Sequence, residues 1–505
     1  MFQVRRKEQF PSSIRYPHPY NKGIALIAMG FLFLNLVGLN RSPVVWMDEV
    51  TLNDPAKELA LHGRMVSSVF SGHNGFEEAY YWQPPGQPLV MALVYKVFGF
   101  GIWQTRIPGV LFGSGTLVVL YLLATVFFRS HKGALLSAVI LGLDPRFIES
   151  ARSGRMDTQT LFFALLGALL FIVVKQRNYE NHDSRRTIFL AGICLGLAGL
   201  SHPLAIVWLV SFGVIAILSR ERAQLGIFMW VAAIAATPTV LWILSVAAKG
   251  DLQLLRHQFL EHGFSRLSVG VVSIGRILEE VLRYAVEYKY APGLLALYVF
   301  GVTWAWMHRD RFRCNPSWFA ILFLVPAIFN ALFMSKKVGF YFLYPVTMLA
   351  IVAGEMTSGL WEGTLVPNRS RITIRLLQSV LILVLANVLV AGILGRYATL
   401  AYQWRARDYQ PVVRALAEIL PYDSIVWGPP DIWYAVEQVG SSLRVRGEPD
   451  PDIHDFLVTK VSSNIEFPEQ VSHVSEFGAA LPPVFGAVHL PSADYRMRVW
   501  AWTQH

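Results

Sequence analysis

Acidic side chains occur at two places where this chain enters or leaves long apolar runs. Asp48 and Glu49 follow the first run by about nine residues, and Asp157 directly precedes a later one. A carboxylate at a membrane surface is costly unless it is solvated, paired or used in chemistry. Because a carboxylate can accept a proton from an attacking hydroxyl, these acids are candidate bases. Alternatively, Asp48 and Glu49 can be solvated residues that cap a helix. Asp157 can instead stabilise a helix by placing its negative charge at the N-terminus.

Basic side chains accompany these acids or end another apolar run. Arg155 precedes Asp157 by two residues, where it can pair with that carboxylate or hold a phosphate through paired N–H donors. Lys336 and Lys337 follow an apolar run on a side of the chain where basic residues are scarce. Snorkelling to the interface would account for them, but their placement against the local trend favours an anion site for a phosphate head group.

Aromatic and polar residues of three further segments are candidate contacts for a sugar or a lipid. These residues are Tyr81, Trp82, Gln83, His202, Tyr341 and Tyr344. Interfacial aromatics belong at a bilayer surface in any case, so the aromatic residues alone do not define a site. The histidines show no metal-binding spacing such as His-Glu-x-x-His.

The composition places these residues in a membrane protein. Of 505 residues, 54 % are hydrophobic and 15 % charged, against about 25 % charged in soluble proteins. This excludes a soluble enzyme, a disordered chain and a disulfide-stapled secreted domain. The net charge of +10 is carried mostly by short loops, so membrane topology explains it without a nucleic-acid partner. Cys194 lies in an apolar run and Cys314 in a basic loop, so no disulfide is expected.

Eleven apolar runs are predicted to span the membrane. They are Gly23–Leu39, Thr105–Phe128, Gly133–Leu143, Thr158–Val174, Ile188–Leu200, Leu204–Leu218, Gly226–Ala247, Pro292–Met307, Ser317–Met334, Phe342–Leu360 and Leu376–Leu394. The short run Pro88–Phe98 is predicted to lie on the surface. The N-terminal side then holds 19 Lys and Arg in 70 residues and the opposite side 15 in 132. Since basic residues collect in the cytoplasm, the N-terminus is predicted to be cytoplasmic and the candidate site outside.

Two outer loops are predicted to carry helices of their own. In the loop 40–104, Asp54-Pro55 predicts a helix start, with Asp as N-cap and Pro in the first turn. The near-helical spacing of apolar residues from Leu61 to Phe70 predicts an amphipathic helix for the membrane surface. In the loop 248–291, a helix is expected at Ile277–Tyr288.

The tail differs in composition from the rest of the chain. Pro, Asp and Glu rise and long apolar runs stop, so residues 1–395 are predicted to form a transmembrane domain and 396–505 a small outer α/β domain. The predicted elements of the tail are a helix at Asp408–Leu420 and strands at Ser424–Trp427, Val484–Leu490 and Arg498–Trp502.

The order of the motifs resembles the GT-C superfamily of lipid-dependent glycosyltransferases. It most resembles the branch of protein O-mannosyltransferases and the bacterial aminoarabinose transferase of lipid A. The resemblance covers about residues 20–360 and rests on an ordered set rather than on one motif. After a basic N-terminus and one span, that set comprises Asp48-Glu49, Gly63, Pro84-Pro85, Phe98-Gly99, Arg106, Asp144-Pro145, Arg155-Met156-Asp157, Lys336-Lys337, Tyr341, Tyr344 and Pro345.

The resemblance implies a fold, a donor and an acceptor. The fold is an all-α polytopic membrane protein of GT-C type, with about eleven transmembrane helices, outer juxtamembrane helices and a small C-terminal α/β extracytoplasmic domain. The donor is a sugar on a polyprenyl phosphate in the outer leaflet of the plasma (inner) membrane. The acceptor is a hydroxyl on a glycolipid, a glycan or a protein.

The resemblance also assigns roles to residues. Asp48 matches the catalytic acid of the family, Glu49 completes its acidic pair and Asp157 matches its second-loop acid. Arg155 and the Lys336–Lys337 pair match basic positions near the lipid phosphate, which makes the nearby Tyr341 and Tyr344 further phosphate contacts. Gln83 departs from the pattern, because relatives often carry His or Lys before the proline.

The chemistry of such a transfer leaves the metal question open. It needs a base for the acceptor hydroxyl and positive charge for the leaving phosphate, and direct displacement would invert the anomeric centre. The cofactor is either none or a divalent metal, because Asp48, Glu49 and Asp157 are hard oxygen ligands that suit Mg²⁺ or Mn²⁺.

Three other functions compete with glycosyl transfer. They are a polytopic transporter or flippase, a polymerase or ligase of lipid-linked glycans, and a non-catalytic scaffold. Charges gathered at one face and long outer loops favour an enzyme over an alternating-access pump.

Overall fold

The computed structural model describes residues 19–128, 130–176, 182–260, 274–334, 339–364, 371–463, 471–482 and 494–502. Within these ranges the chain is mostly helical, with a small sheet near its C-terminal end. The first ten α-helices are α1 (Pro19–Leu36), α2 (Met47–His62), α3 (Gly86–Phe98), α4 (Ile102–Phe127), α5 (His131–Gly142), α6 (Pro145–Arg152), α7 (Asp157–Gln176), α8 (His182–Ser201), α9 (Ile206–Leu218) and α10 (Arg222–Ala248). The others are α11 (Leu252–Gln258), α12 (Ile274–Glu287), α13 (Pro292–Met307), α14 (Pro316–Phe333), α15 (Leu343–Trp361), α16 (Arg371–Leu389), α17 (Gly395–Tyr402), α18 (Gln410–Ile419) and α19 (Trp433–Gln438).

Apolar helices make the chain a multi-pass membrane protein. By length and composition, six helical segments of the described residues can cross a membrane; they are Ile102–Phe127, Asp157–Lys175, Arg222–Ala248, Pro316–Phe333, Gly339–Trp361 and Arg371–Tyr402. Five shorter apolar helices accompany them, at Lys22–Leu36, Gly86–Phe98, His131–Gly142, Pro203–Leu218 and Pro292–Met307. Each of the eleven predicted spans coincides with one helix, namely α1, α4, α5, α7, α8, α9, α10, α13, α14, α15 or α16.

The helix α15 lies at the centre of the bundle. Every residue from Leu343 to Gly359 is buried. A Cβ atom on Gly354 would lie 2.4 Å from the backbone nitrogen of Ser137 and 2.6 Å from the carbonyl oxygen of Gly133 on α5. Small residues therefore let the backbones of α5 and α15 approach closely, as is common where helices pack in a membrane.

Two buried arginines from later helices hold the turn that follows α1. Arg152, at the end of α6, donates to backbone carbonyls of this turn at Asn35, Val37, Gly38 and Ser42. Arg106 on α4 donates at 2.7 and 2.8 Å to the carbonyls of Leu39 and Pro43. The carbonyls at a helix C-terminus lack intrahelical partners, so these guanidinium groups supply the missing donors.

The first outer loop differs from its prediction at Asp54-Pro55. The helix α2 begins at Met47, and Pro55 lies inside it. The Asp54 carboxylate does not cap a helix; it accepts from the Ser67 hydroxyl at 2.6 Å and from the backbone N–H of Val69 at 3.0 Å. The predicted N-cap is wrong because this carboxylate binds the segment that returns after α2.

The predicted surface helix from Leu61 to Phe70 is also wrong. The helix α2 ends at His62, and Gly63 follows it with a φ of 70°, a left-handed conformation that favours glycine. Val69 is 0 % and Phe70 3 % exposed, because both pack against the C-terminal part of the chain. Their apolar character serves a protein core rather than a lipid surface.

The tail forms a mixed sheet of five strands. They are β1 (Ile425–Trp427), β2 (Ser442–Arg444), β3 (Phe456–Lys460), β4 (Val471–Phe477) and β5 (Met497–Trp502), in the spatial order β2-β1-β3-β5-β4. The strand β1 runs parallel to β2 and β3, whereas β5 is antiparallel to β3 and β4. The predictions for α18, β1 and β5 are confirmed, β2, β3 and β4 were not predicted, and the predicted strand Val484–Leu490 lies outside the described residues.

Candidate active site

Three charged side chains from two loops meet beside the first turns of α2 and α7. The Arg155 guanidinium donates from Nε to the carboxylate of Asp157 at 2.7 Å and from Nη1 to the carboxylate of Asp48. The side chains of Arg155 and Asp157 are 4 % and 3 % exposed, whereas that of Asp48 is 27 % exposed. Asp48 is therefore the acid of the cluster that a substrate can reach.

Aromatic rings enclose the guanidinium of this cluster. The Cζ atom of Arg155 lies 4.2 Å from the ring centre of Phe340 and 5.5 Å from that of Trp46. Burial opposes the charge of Arg155, but the carboxylates of Asp157 and Asp48 raise its pKa above the ordinary range. Arg155 is thus a fixed cation, and its contact with the Asp48 carboxylate holds that side chain in one orientation.

A buried clamp aligns the two loops that supply these groups. The Asn53 side-chain amide on α2 donates to the Glu49 carbonyl at 2.7 Å and to the Gly154 carbonyl at 2.8 Å. Gly154 has a φ of 65°, and a Cβ atom there would lie 2.8 Å from Cγ2 of Thr105. Glycine is required at 154 by both the backbone conformation and the close contact.

Glu49 is directed away from this cluster. Its carboxylate accepts from Arg106 at 2.9 Å (Nε) and 2.7 Å (Nη2), and from the Tyr434 hydroxyl at 3.0 Å. Burial raises the pKa of Glu49 above its ordinary value, and the ion pair with Arg106 opposes that rise. Both side chains are 0 % exposed, so the sequence neighbours Asp48 and Glu49 occupy different environments.

The predicted trio of carboxylates is therefore not assembled into a metal site. Among the described residues, no group of three or more His, Cys, Asp and Glu side chains is arranged to hold a metal ion. The reason is electrostatic: Glu49 is paired with Arg106, while Asp48 and Asp157 share Arg155. These donor oxygens already face cations of the protein.

The two predicted tyrosines and His202 lie near the Arg155 cluster. Tyr341 follows Phe340 directly in the turn before α15, and its ring centre lies 6.1 Å from that of His202. Tyr344 is buried in the first turn of α15. The His202 Nδ1 atom accepts from the backbone N–H of Leu204 at 3.0 Å, so this ring also caps a turn. Lys336 and Lys337 lie outside the described residues.

The segment from Tyr81 to Gln83 joins the first outer loop to α11. Tyr81 donates from its hydroxyl to Asp251 at 2.6 Å, and its backbone N–H donates to Gln258 at 2.7 Å. Trp82 is buried against other aromatic rings of the loop. The Gln83 side-chain oxygen is buried and has no hydrogen-bond partner in the described part of the chain.

A large apolar cavity begins next to Gln83, at Pro84. It has a volume of about 560 Å³ and lies between α8, α9, α10 and α11. Its walls include Leu195, Ile206, Leu209, Val240 and Phe259. Arg256 is the one charged residue among its described lining residues.

Comparisons with known proteins show what this chain resembles. A family model described as dolichyl-phosphate-mannose-protein mannosyltransferase matches residues 82–244. An uncharacterised protein of Aquifex aeolicus is 25 % identical over 336 residues, which cover 66 % of this chain and 63 % of that protein, less than two thirds of its length. An undecaprenyl phosphate-alpha-4-amino-4-deoxy-L-arabinose arabinosyl transferase of Pseudomonas fluorescens is 26 % identical over 491 residues, 90 % of this chain and 80 % of the relative.

A solved structure extends the similarity to the fold. ArnT from Cupriavidus metallidurans, bound to undecaprenyl phosphate, matches with a TM-score of 0.63 at 15 % identity, over 95 % of this chain and 98 % of the other. The chain is similar in sequence to these glycosyltransferases and shares the overall fold of ArnT. In this chain the helices of the bundle and the small C-terminal sheet follow the same overall arrangement as in ArnT.

Sequence reasoning missed three contacts of this candidate site. Phe340 stacks on Arg155. Its position directly before Tyr341 could have indicated this contact from the sequence. Asn53 and Gly154 align the two loops, and an isolated glycine before Arg155 hinted at a close backbone approach. Tyr434 contacts Glu49 from 385 positions away, and no local pattern points to that contact.

Proposed function

We propose that the chain transfers a sugar from a polyprenyl-phosphate donor to an acceptor hydroxyl at the outer face of the plasma (inner) membrane, with inversion at the anomeric carbon. The observation that carries this proposal is the cluster of Asp48, Arg155 and Asp157. It offers one accessible carboxylate, held by a buried cation, at the start of a helix in a GT-C fold.

The transfer is a direct displacement in this proposal. The acceptor oxygen attacks the anomeric carbon, the bond from that carbon to the phosphate oxygen breaks, and the acceptor proton passes to the Asp48 carboxylate. Arg155 orients Asp48, and Asp157 fixes Arg155 from the other side.

The departing phosphate needs positive charge that Arg155 does not supply, because both of its carboxylate partners neutralise it. We assign that task to Lys336, Lys337 and the Arg256 guanidinium at the apolar cavity, with hydroxyl contacts from Tyr341 and Tyr344. Tyr81, Trp82, Gln83 and His202 are proposed contacts of the sugar or the lipid. The described carboxylates favour a reaction without a metal, in which these cations neutralise the phosphate.

The lipid class of the donor follows from the cavity that begins at Pro84. Its volume of about 560 Å³ and its apolar walls suit a segment of a branched hydrocarbon chain, and ligand pockets usually span about 300–1,000 Å³. Arg256 at the same cavity complements an anionic head. The similar ArnT structure was determined bound to undecaprenyl phosphate, which supports a donor of this chemical class.

The proposed topology has eleven spans, a cytoplasmic N-terminus and an outer tail. Residues 1–395 form the transmembrane catalytic domain and 396–505 the extracytoplasmic domain. The tail shares a hydrophobic core with the first outer loop, so both must be on the same side of the membrane. A reporter fused after Trp404 is expected to be active only outside; activity only in the cytoplasm would reverse this topology.

The decisive experiment is a transfer assay with purified protein in vesicles and a panel of polyprenyl-phosphate sugars. The acceptors are a glycolipid, a glycan and a peptide, and mass analysis identifies the product. We expect one product whose mass equals acceptor plus sugar, absent with Asp48→Asn and present with the exposed control Asp452→Asn. Movement of the donor between leaflets without a new glycosidic bond would instead identify a flippase.

A further inference from the structure

A second, smaller cavity lies at the edge of the bundle, where α1 meets the helical segment that leads into α17. Its volume is about 200 Å³, and none of its lining residues lines the cavity that begins at Pro84. Ile27, Phe31 and Leu34 on α1 line its length. Leu34 is 40 % exposed on the outer surface of the bundle, so the cavity borders the lipid phase.

The cavity is polar at only one end. Asn35, Arg396 and Tyr397 line it there, and each follows the apolar lining residues of its own helical segment in sequence. The eight residue steps from Ile27 to Asn35 correspond to about 12 Å along an α-helix. The polar end lies at the end of α1 from which the chain runs to Asp48, since Arg396 Nη2 donates to the hydroxyl of Ser42 at 3.2 Å.

Arg396, at this polar end, has no direct ion-pair partner among the described residues. Arg396 is 3 % exposed, and its Nε atom has no hydrogen-bond partner in the described residues. Glu149, an acid whose charge acts on Arg396, is itself paired with Arg146 at 2.7 Å. Arg152 is 0 % exposed and adds a second positive charge that repels Arg396.

A buried acceptor faces the same cavity. The side-chain oxygen of Asn35 is buried and has no partner among the described residues, while its amide donates to the Phe31 carbonyl at 2.8 Å. An uncompensated buried cation is costly, and an unpaired donor and acceptor beside an apolar channel add to that cost. A ligand with an acidic head, a hydroxyl and a hydrocarbon chain satisfies all three features.

The backbone at the cavity wall is irregular. Residues Val390–Leu394 form a π-helical turn directly before α17, a conformation often found at functional sites. A Cβ atom on Gly392 in this turn would lie 2.2 Å from the carbonyl oxygen of Leu143. The glycine lets this turn approach the end of α5 and closes the inner wall of the cavity.

We infer that this cavity binds one anionic glycerophospholipid, with a phosphodiester on Arg396 and an acyl chain along α1. Arg396 at the polar end favours a negatively charged head group. The apolar residues along α1 favour a lipid over a free anion. The site is separate from the proposed donor site, so the inference does not depend on the proposed function.

Native mass spectrometry of the full-length protein tests this site. Phosphatidylglycerol is titrated against phosphatidylcholine with the same acyl chains, and the number of retained lipids is counted. We expect one phosphatidylglycerol to be retained about tenfold more tightly than phosphatidylcholine, because the choline cation is repelled by Arg396 and Arg152 and has no hydroxyl for Asn35. Equal retention of the two lipids would overturn the inference.

Two variants and a matched control isolate the cavity. Arg396→Gln should remove the preference for phosphatidylglycerol, and Arg396→Lys should keep most of it. Gly30 lines the cavity, and a Cβ atom there meets nothing within 4 Å, so Gly30→Leu should block the lipid without a backbone clash. The control is Gly226→Leu, at an exposed helical glycine that also has open space around it.

The outcomes separate this lipid from other anions. Unchanged lipid retention in folded Gly30→Leu would overturn the inference, with folding checked by thermal unfolding of each variant. Displacement of the lipid by inorganic phosphate at equal concentration would identify an anion site without a lipid component. Preferential retention of undecaprenyl phosphate at this site would assign it to the donor class instead.

Discussion

At the scale of single residues, Asp48 and Glu49 are adjacent in sequence but occupy different environments. Asp48 is accessible and paired with Arg155, whereas Glu49 is buried against Arg106 and Tyr434. Substitution of Asp48 should therefore lower activity, whereas substitution of Glu49 should lower stability.

Asp48→Asn should abolish transfer and leave the thermal stability close to that of the wild type. The amide keeps the size of the side chain but removes the proton acceptor, and general-base assistance contributes about 10²–10⁴ in rate. The measurement is turnover of purified protein with a defined lipid donor, beside Asp452→Asn. Near-normal turnover of Asp48→Asn would remove this residue from the catalytic role.

Glu49→Gln should show the opposite pattern. It leaves the Arg106 guanidinium buried without its counter-charge, a change that costs about 3–5 kcal/mol in comparable ion pairs. Turnover per folded molecule should stay within a few-fold of the wild type. Thermal unfolding in detergent measures the first effect and a donor titration the second. A stable but inactive Glu49→Gln protein would make Glu49 a catalytic group.

Lys336→Ala and Lys337→Ala should raise the KM for the donor as well as lower kcat. The lipid phosphate is charged both before and after the bond to the sugar breaks, so a lost cation weakens the ground state and the transition state together. Steady-state kinetics against donor concentration separate the two constants. A change in kcat alone would place these lysines away from the bound phosphate.

At the scale of elements, the loop before α7 depends on the glycine that lets it approach α2 and α4. Gly154→Ala adds a Cβ atom 2.8 Å from Thr105 and 3.3 Å from the Cγ atom of Glu49, at a φ of 65°. Gly63→Ala is the matched control, because its φ is 70° but open space surrounds it. Both variants lose about 1–2 kcal/mol to backbone strain.

The contact with Thr105 should give Gly154→Ala an additional loss. Displacement of Arg155 should also lower its turnover at least tenfold, which Gly63→Ala should not do. Thermal unfolding and the transfer assay measure the two effects. Equal behaviour of the two variants would show that the close contact at 154 does not position Arg155.

The sequence predicted elements well where local chemistry determines them. The eleven apolar runs coincide with helices, and Arg155 pairs with Asp157 two residues away. Prediction failed where a distant partner decides the outcome. Asp54-Pro55 has the form of a helix start, but the Asp54 carboxylate is used by the returning loop. Val69 and Phe70 have the spacing of a surface helix, but the tail covers them.

In the molecule as a whole, the C-terminal tail helps to hold the segment that carries Asp48 and Glu49. The Tyr434 hydroxyl donates to Glu49 at 3.0 Å, the Tyr495 hydroxyl accepts from the backbone N–H of Val45 at 3.0 Å, and Glu437 pairs with Lys57 at 2.8 Å. Each contact joins the C-terminal part of the chain to residues 45–57. The C-terminal part of the chain and the start of α2 therefore form one folded unit.

Tyr434→Phe should destabilise the protein by about 1–3 kcal/mol, because it leaves a buried carboxylate oxygen without one of its donors. Tyr422→Phe is the control, since Tyr422 is 85 % exposed. Thermal unfolding measures the difference, and limited proteolysis should cut the tail of Tyr434→Phe faster than that of the wild type. Identical unfolding of the two variants would mean that the hydroxyl contact does not hold the tail to the loop.

The arginine bonds at the end of α1 bear on how the protein is synthesised. Arg152 supplies donors to carbonyls at residues 35, 37, 38 and 42, yet the ribosome adds it more than a hundred residues later. Until α6 has entered, the last turn of the first inserted helix has unsatisfied carbonyls close to the bilayer, where water is scarce. A nascent chain arrested before residue 152 is therefore expected to expose this end to quality-control proteases, and one arrested after α6 to be protected there.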